Sequence, residues 1–247
     1  MTMETIDISH HTSQRYNAEL EDVRNKVLTM GGLVEKQLAD AITGILEGDS
    51  AIGESVVTDD YKVNALEVEI DEECAWILAR RQPAATDLRF LVAVIKTITD
   101  LERMGDEAER VGRMAIQLAQ RERPKDQHRE LRHLGDLVKE MVHNALDAFA
   151  RTDVEAAVGT RAYDREVDRE YESIMRQLIT FMMEDPRHIP RTLEIMWSAR
   201  SLERIADRAK NICEYVVYLV KGRDVRHTSW DQVQAELREQ SEASDDQ

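Results

Sequence analysis

The residues in this chain best placed to do chemistry are carboxylates that occur twice. Glu102-Arg103-Met104-Gly105-Asp106 returns as Glu203-Arg204-Ile205-Ala206-Asp207, and Asp60, Val63 and Asn64 return as Asp164, Val167 and Asp168. Carboxylates four residues apart are neighbours on a helix, where like charges cost roughly 0.2–0.5 kcal/mol even in water. On a face shared with apolar side chains an unpaired carboxylate costs far more, so it must be paired, protonated or bound to a metal. An acid pair from each of two adjacent antiparallel helices gives a cluster of carboxylate groups per copy, with Asn64 supplying an amide oxygen in the first. Hard oxygen donors of this kind suit magnesium, calcium, manganese or iron rather than zinc or copper.

The elements that must hold these acids are legible from periodicity. Tyr16, Leu20, Val23, Val27, Met30, Val34, Leu38, Ala41 and Ile45 step by three and four, which describes one face of a long helix. Gly31-Gly32 is expected to loosen that helix, and Gly48-Asp49 to end it, with Asp49 capping the next. A second helix carries Val56, Val63, Ile70, Cys74 and Ile77 and stops before Pro83, which disfavours helix in the residue preceding it. A third runs through Leu91, Val94, Ile98, Leu101, Ala108 and Leu118. Asp60 and Glu67 fall on the apolar stripe of the second helix, Glu102 and Asp106 on that of the third.

After a charged linker around Pro124 the pattern restarts. Val34 to Asp49 aligns with Val138 to Asp153 at a shift of 104. Thr152 and Glu155 read as a capping box opening the fifth helix, whose buried side takes Asp164 and Asp168. The sixth helix brings Glu203 and Asp207. The expected fold is all-α: two tandem, structurally similar antiparallel three-helix bundles related by a pseudo-two-fold repeat. Their expected limits are residues 12–120 and 128–222, followed by a polar tail, 223–247, in which Trp230, Val233 and Leu237 allow one short amphipathic helix. Residues 1–11 are expected to be frayed.

Composition narrows function. The 247 residues carry a net charge of -16, which disfavours nucleic acid because phosphate binding needs a basic footprint. Cys74 and Cys213 are too few for a disulfide framework and sit inside apolar patterns. No signal peptide is visible, and no apolar run approaches the ~20 residues needed to cross a bilayer. The expected location is cytoplasmic, peripheral to the inner membrane only through partners. No catalytic residue is assigned: the Glu-x-x-His of Glu130 and His133 lies at the start of the fourth helix, away from the acids, and no glycine-rich phosphate loop is present. A salt-bridged alternative stands beside the metal reading. Arg103, Arg204 and Arg89, with Arg110, Arg200 and Arg208, are close enough in sequence to pair with the acids.

The duplicated unit, the run Arg81-Gln82-Pro83-Ala84-Ala85-Thr86-Asp87-Leu88-Arg89, Asp-Leu-Glu-Arg-Met-Gly-Asp at 100–106, and Asn211-Ile212-Cys213-Glu214-Tyr215 together resemble the PhoU family over roughly residues 10–228. That resemblance implies symmetric three-helix bundles with multinuclear metal sites, of iron, zinc or magnesium depending on the member; manganese joins these as a candidate on donor chemistry. It implies negative regulation of phosphate uptake and of the phosphate-starvation response. The implied partners are the ATPase subunit of the phosphate ABC transporter, a phosphate-sensing histidine kinase, and a second copy of the chain. Carried onto this sequence, the metal-facing candidates are Asp60, Asn64, Glu102 and Asp106, then Asp164, Asp168, Glu203 and Asp207. Asn64 is a departure that removes one charge from the first site, and Ala206 stands where the motif usually has glycine.

Overall fold

A computed structural model describes residues 8–120 and 129–225, and every regular element among them is helical. The first repeat contains α1 (Ile8–Glu47), α2 (Ser50–Asp59), α3 (Tyr61–Arg81) and α4 (Ala85–Ala119). The second contains α5 (Arg129–Arg151), α6 (Val154–Thr160), α7 (Asp164–Glu184) and α8 (Ile189–Lys221). In each, a long first helix, an interrupted second and a long third pack into an antiparallel three-helix bundle. Val23, Val27, Met30, Val34, Leu38 and Ala41 are fully buried, as the stripe on α1 requires. One continuous apolar core runs through both bundles, which meet mainly along α4 and α8, with α1 against α5.

Local chemistry accounts for the helix ends. The Asp49 carboxylate accepts from the backbone N–H groups of Ala51 and Ile52 and so caps α2. Gln82, ahead of Pro83, takes a left-handed conformation (φ 47°) that closes α3. Gly222 (φ 68°) closes α8, its N–H donating to the Tyr218 carbonyl.

Several expectations are corrected. α1 already runs from Ile8, and it continues without a break through Gly31-Gly32, because helix-to-helix packing outweighs the propensity cost of glycine. The second helix of each repeat is interrupted, at Asp60 in the first and by a 3₁₀ turn, Arg161–Tyr163, in the second. Both interruptions abut the leading acid of the repeat. α6, the start of the expected fifth helix, is capped by Asp153, which accepts from the Ala156 N–H, and not by Thr152. Thr152 adopts φ 52° and fills the left-handed position that Gly48 (φ 64°) fills in the first repeat. Val225, placed in the polar tail by the sequence, is buried beside Val217 and Val154. The linker residues 121–128 and the amphipathic stretch at Trp230, Val233 and Leu237 lie outside the described residues.

Candidate functional site

Each repeat presents an acid seam between its second and third helices, and the two seams are built differently. In the first, Asp60 sits at the kink between α2 and α3 and is only 8% exposed. Its Oδ1 accepts from Gln37 Nε2 at 2.9 Å, across from α1, and its Oδ2 from Asn64 Nδ2 at 2.9 Å, one turn along α3. The amide oxygens of Gln37 and Asn64 are buried and accept no hydrogen bond from the protein. Gly105 on α4 permits this approach, since a Cβ there would stand 3.3 Å from both Asp60 Oδ1 and Gln37 Oε1.

Glu102, Asp106 and Glu67 complete this seam, all half-buried. Burial raises the Glu102 carboxyl above its ordinary pKa, and the charges of Asp106 and Glu67 raise it further. Burial, then Asp60, does the same to Asp106. Glu67 is raised by burial and by Asp71, against a hydrogen bond from Thr99 and the charge of Arg103. Withdrawal from water is the first cause throughout, and like charges on the same and the facing helix add to it.

In the second seam a lysine stands among the acids. Lys210 on α8 donates to Asp207 Oδ1 at 2.8 Å on its own helix, and to Asp164 Oδ1 and Oδ2 at 3.2 and 3.3 Å across on α7. Burial opposes the ammonium, but the hydrogen bond to Asp207 and the charge of Asp164 outweigh it, so the Lys210 pKa is raised. Glu203 lies 3.4 Å from Arg200, while its Oε2 is buried and accepts no hydrogen bond. Burial holds the Glu203 carboxyl high, against the charge of Arg200. Asp168 is exposed, a correction to its expected place on the buried side. It stands one residue past buried Val167, about 100° round the helix from the narrow stripe of Val167, Ile174 and Leu178. What burial it has, then the charge of Asp164, still raises its carboxyl.

Among the described residues, no three acid, histidine or cysteine side chains converge closely enough to hold a metal ion as they stand. The donor chemistry of the two seams nevertheless separates them. The first fits a hard cation: its acids raise one another's pKa, its buried amide oxygens are unengaged, and among the described residues no lysine or arginine hydrogen-bonds to Asp60. The second does not fit as it stands, because Lys210 already bridges Asp164 and Asp207.

Of the arginines expected beside the acids, Arg200 lies beside Glu203, whereas Arg204 and Arg89 are engaged elsewhere. Arg204 reaches across to α4 and pairs with Glu107 Oε1 at 2.9 Å. Successive residues on a helix do not face each other, so adjacency to Glu203 was a poor guide. Arg103 is exposed, and its charge acts on Glu102, Glu67 and Asp100 without replacing the missing lysine. Arg89 donates to the Leu219 carbonyl at 3.4 Å, at the far end of α8 and on the rim of an open groove of about 660 Å³.

Sequence reasoning missed a third polar feature, the α4–α8 crossing. Asp100, 3% exposed, accepts from the Tyr215 hydroxyl at 2.8 Å and from Arg208 and Asn211 at 3.4 Å each. Its carboxyl is raised by burial, against those partners. One helical repeat away, Glu107 accepts from Ser201 Oγ at 2.8 Å, from Arg204 and from Arg110. Aligning Glu102 with Glu203 makes Asp100 the counterpart of Ser201, and Glu107 that of Arg208. The two contacts are therefore related by the pseudo-two-fold axis, with both acids on α4. Gln37 and Glu67 carried a signal, since each sits on or beside an apolar stripe. Lys210 carried none, because its partner Asp164 depends on the register of α7 against α8.

A family model described as the PhoU domain matches residues 27–115 and 131–216. A Pseudomonas aeruginosa protein named phosphate-specific transport system accessory protein PhoU homolog is 52% identical, over 93% of this chain and 95% of its own length. The Escherichia coli (strain K12) phosphate-specific transport system accessory protein PhoU is 47% identical, over 94% of this chain and 95% of its own. The crystal structure of PhoU from Pseudomonas aeruginosa superposes with a TM-score of 0.82 at 53% identity, covering 84% of this chain and 100% of that one. The phosphate transport system regulatory protein PhoU from Streptococcus pneumoniae superposes with a TM-score of 0.78 at 29% identity, covering 85% and 99%.

Proposed function

The chain belongs to the PhoU family, and from that premise we propose that it is an accessory protein of a phosphate-specific transport system which restrains phosphate uptake and the phosphate-starvation response. The observation that carries this reading is likeness over nearly the whole chain, in sequence and in backbone, to proteins bearing that name. Within it the chain acts as an adaptor between the transporter's ATPase subunit and a phosphate-sensing histidine kinase, with a second copy as a further partner. Docking, not chemistry, is its work. No described helix is long and apolar enough to cross a membrane, which is consistent with attachment to the membrane through those partners from the cytoplasmic side.

The test is a deletion strain assayed for alkaline phosphatase in phosphate-rich medium. Constitutive enzyme, restored to repression by this chain, is expected; repression unchanged by the deletion overturns the regulatory reading. Recovery of the ATPase subunit and the kinase with the tagged chain from membranes is expected for the adaptor role. Recovery of neither, in phosphate-rich and phosphate-poor cells alike, overturns it.

A hard divalent cation belongs to this proposal at the first seam, where Asp60, Asn64, Glu102 and Asp106 would hold it, with Gln37 and Glu67 alongside. Such an ion would neutralise crowded carboxylates and tie α3 to α4. Without it, Gln37 and Asn64 orient Asp60, and Gly105 keeps the seam narrow. Metal analysis of protein purified without chelator tests this. Metal lost on Glu102→Gln with Asp106→Asn is expected, and metal content unchanged by that pair overturns it.

A further inference from the structure

Lys210 and its surroundings set the second seam apart chemically. Its ammonium lies within hydrogen-bond reach of a carboxylate on each of two helices, Asp207 on α8 and Asp164 on α7. That is the bridging role a bound metal would perform, done by a cation tethered to the backbone. The corresponding residue of the first repeat, seven past Glu102 as Lys210 is seven past Glu203, is Glu109, which pairs with Arg113. The neutral oxygen donors have gone as well. Met141, fully buried, stands where the first repeat has Gln37, and the exposed Asp168 where it has Asn64. A divalent ion entering here would meet a resident positive charge and two carboxylates already engaged, while Glu203 lies beside Arg200. Magnesium and manganese demand several oxygen donors in regular geometry, and the seam has few free to give.

We infer that the Lys210 ammonium is the resident cation of the second seam, so that this repeat excludes divalent metal and cation binding is confined to the first. The statement about Lys210 stands on the second seam alone; the statement about the first repeat rests on the metal reading above.

The experiment is Mn²⁺ binding by equilibrium dialysis and metal analysis on the full chain and its variants. With Lys210 in place, Asp207→Asn is expected to leave Mn²⁺ content unchanged. Lys210→Met is expected to gain an additional equivalent, with affinity at this seam raised about tenfold or more, the scale of neighbouring-group effects at metal sites. That gain should vanish when Asp207→Asn is added, and Lys210→Arg should not show it. The thermal midpoint of Lys210→Met in chelator should fall, and Mn²⁺ should raise it by more than it raises that of the unsubstituted chain. Loss of Mn²⁺ on Asp207→Asn alone, or no gain on Lys210→Met, overturns the inference. If Lys210→Met does not fold in chelator, recovery on refolding with Mn²⁺ supports it and failure to recover overturns it. An unsubstituted chain that binds no Mn²⁺, beside a Lys210→Met that does, supports the role of Lys210 and overturns the metal reading of the first repeat.

Discussion

The first acid seam is organised by amides and the second by an ammonium, although the two lie at matching positions of a repeated three-helix bundle. Five exchanges separate them: Gln37 for Met141, Asn64 for Asp168, Glu67 for Tyr171, Gly105 for Ala206 and Glu109 for Lys210. In the first seam Asp60 is clamped by neutral donors, and the surrounding carboxylates are left to raise one another's pKa. In the second Lys210 pairs with both Asp164 and Asp207, and Arg200 lies beside Glu203. Duplication of a helical scaffold thus preserves where acids point without preserving what neutralises them. The α4–α8 crossing carries the same lesson, since positions related by the repeat are Asp100 and Ser201, or Glu107 and Arg208.

The largest effect is expected at that crossing. Asp100→Ala leaves the Tyr215 hydroxyl and the Arg208 guanidinium without their buried acceptor and should cost about 3–4 kcal/mol in chemical denaturation, whereas Ser201→Ala at the matching position should cost about 1 kcal/mol. Equal losses would mean that the crossing is not electrostatically polarised between repeats.

Close packing comes next. A Cβ at Gly53 would lie 2.7 Å from the Gly112 carbonyl oxygen, so Gly53→Ala should cost about 1–3 kcal/mol by overpacking α2 against α4. The second repeat has Ala157 and Cys213 in these places, so Ala157→Gly should cost only about 1 kcal/mol, from backbone freedom and a lost methyl. Denaturant midpoints compare the two.

Exchanging the neutralising groups sharpens the contrast directly. Lys210→Met in chelator should lose about 1–2 kcal/mol, since the half-buried Asp164 and Asp207 are left unpaired. Glu109→Lys, which places the lysine in the first repeat, should gain less than about 1 kcal/mol and weaken Mn²⁺ binding there. A smaller gain, about 1 kcal/mol, is expected for Thr152→Gly. The β-branched side chain is held at positive φ where the first repeat has Gly48.

The finest distinction is in pH. The folded-state pKa values of Glu67, Glu102 and Asp106 are raised, so the folded chain holds their protons more tightly than the unfolded chain does. Between the unfolded value, about 4, and the raised folded values, these groups make stability fall as pH rises. In chelator the thermal midpoint should therefore rise as pH is lowered through the raised folded values towards the unfolded value. That rise should shrink in Glu102→Gln with Asp106→Asn, and an unaltered slope would remove the repulsion argument.

Much of this was legible in the sequence because burial and periodicity are the same fact on a helix. Val23 to Ile45 on α1 could be read residue by residue, and Asp60, Glu102 and Asp106 could be placed inward from the stripes they interrupt. What failed was what depends on geometry between elements. Arg204 was tied to Glu203 by adjacency, yet it faces α4; Arg89 serves a carbonyl of α8; and Lys210 finds Asp164 only once the register of two helices is known. The kink at Asp60 and the 3₁₀ turn before Asp164 had no proline to announce them.

The polarised crossing also fixes the order of the halves. α4 offers two acids at a spacing that α8 answers with arginines and hydroxyls. Were a chain assembled from the first half twice over, Asp100 of each half would meet Glu107 of the other, two acid-against-acid contacts in a dry interface. What began as a repetition has become a lock and its key, and neither half can stand in for its twin.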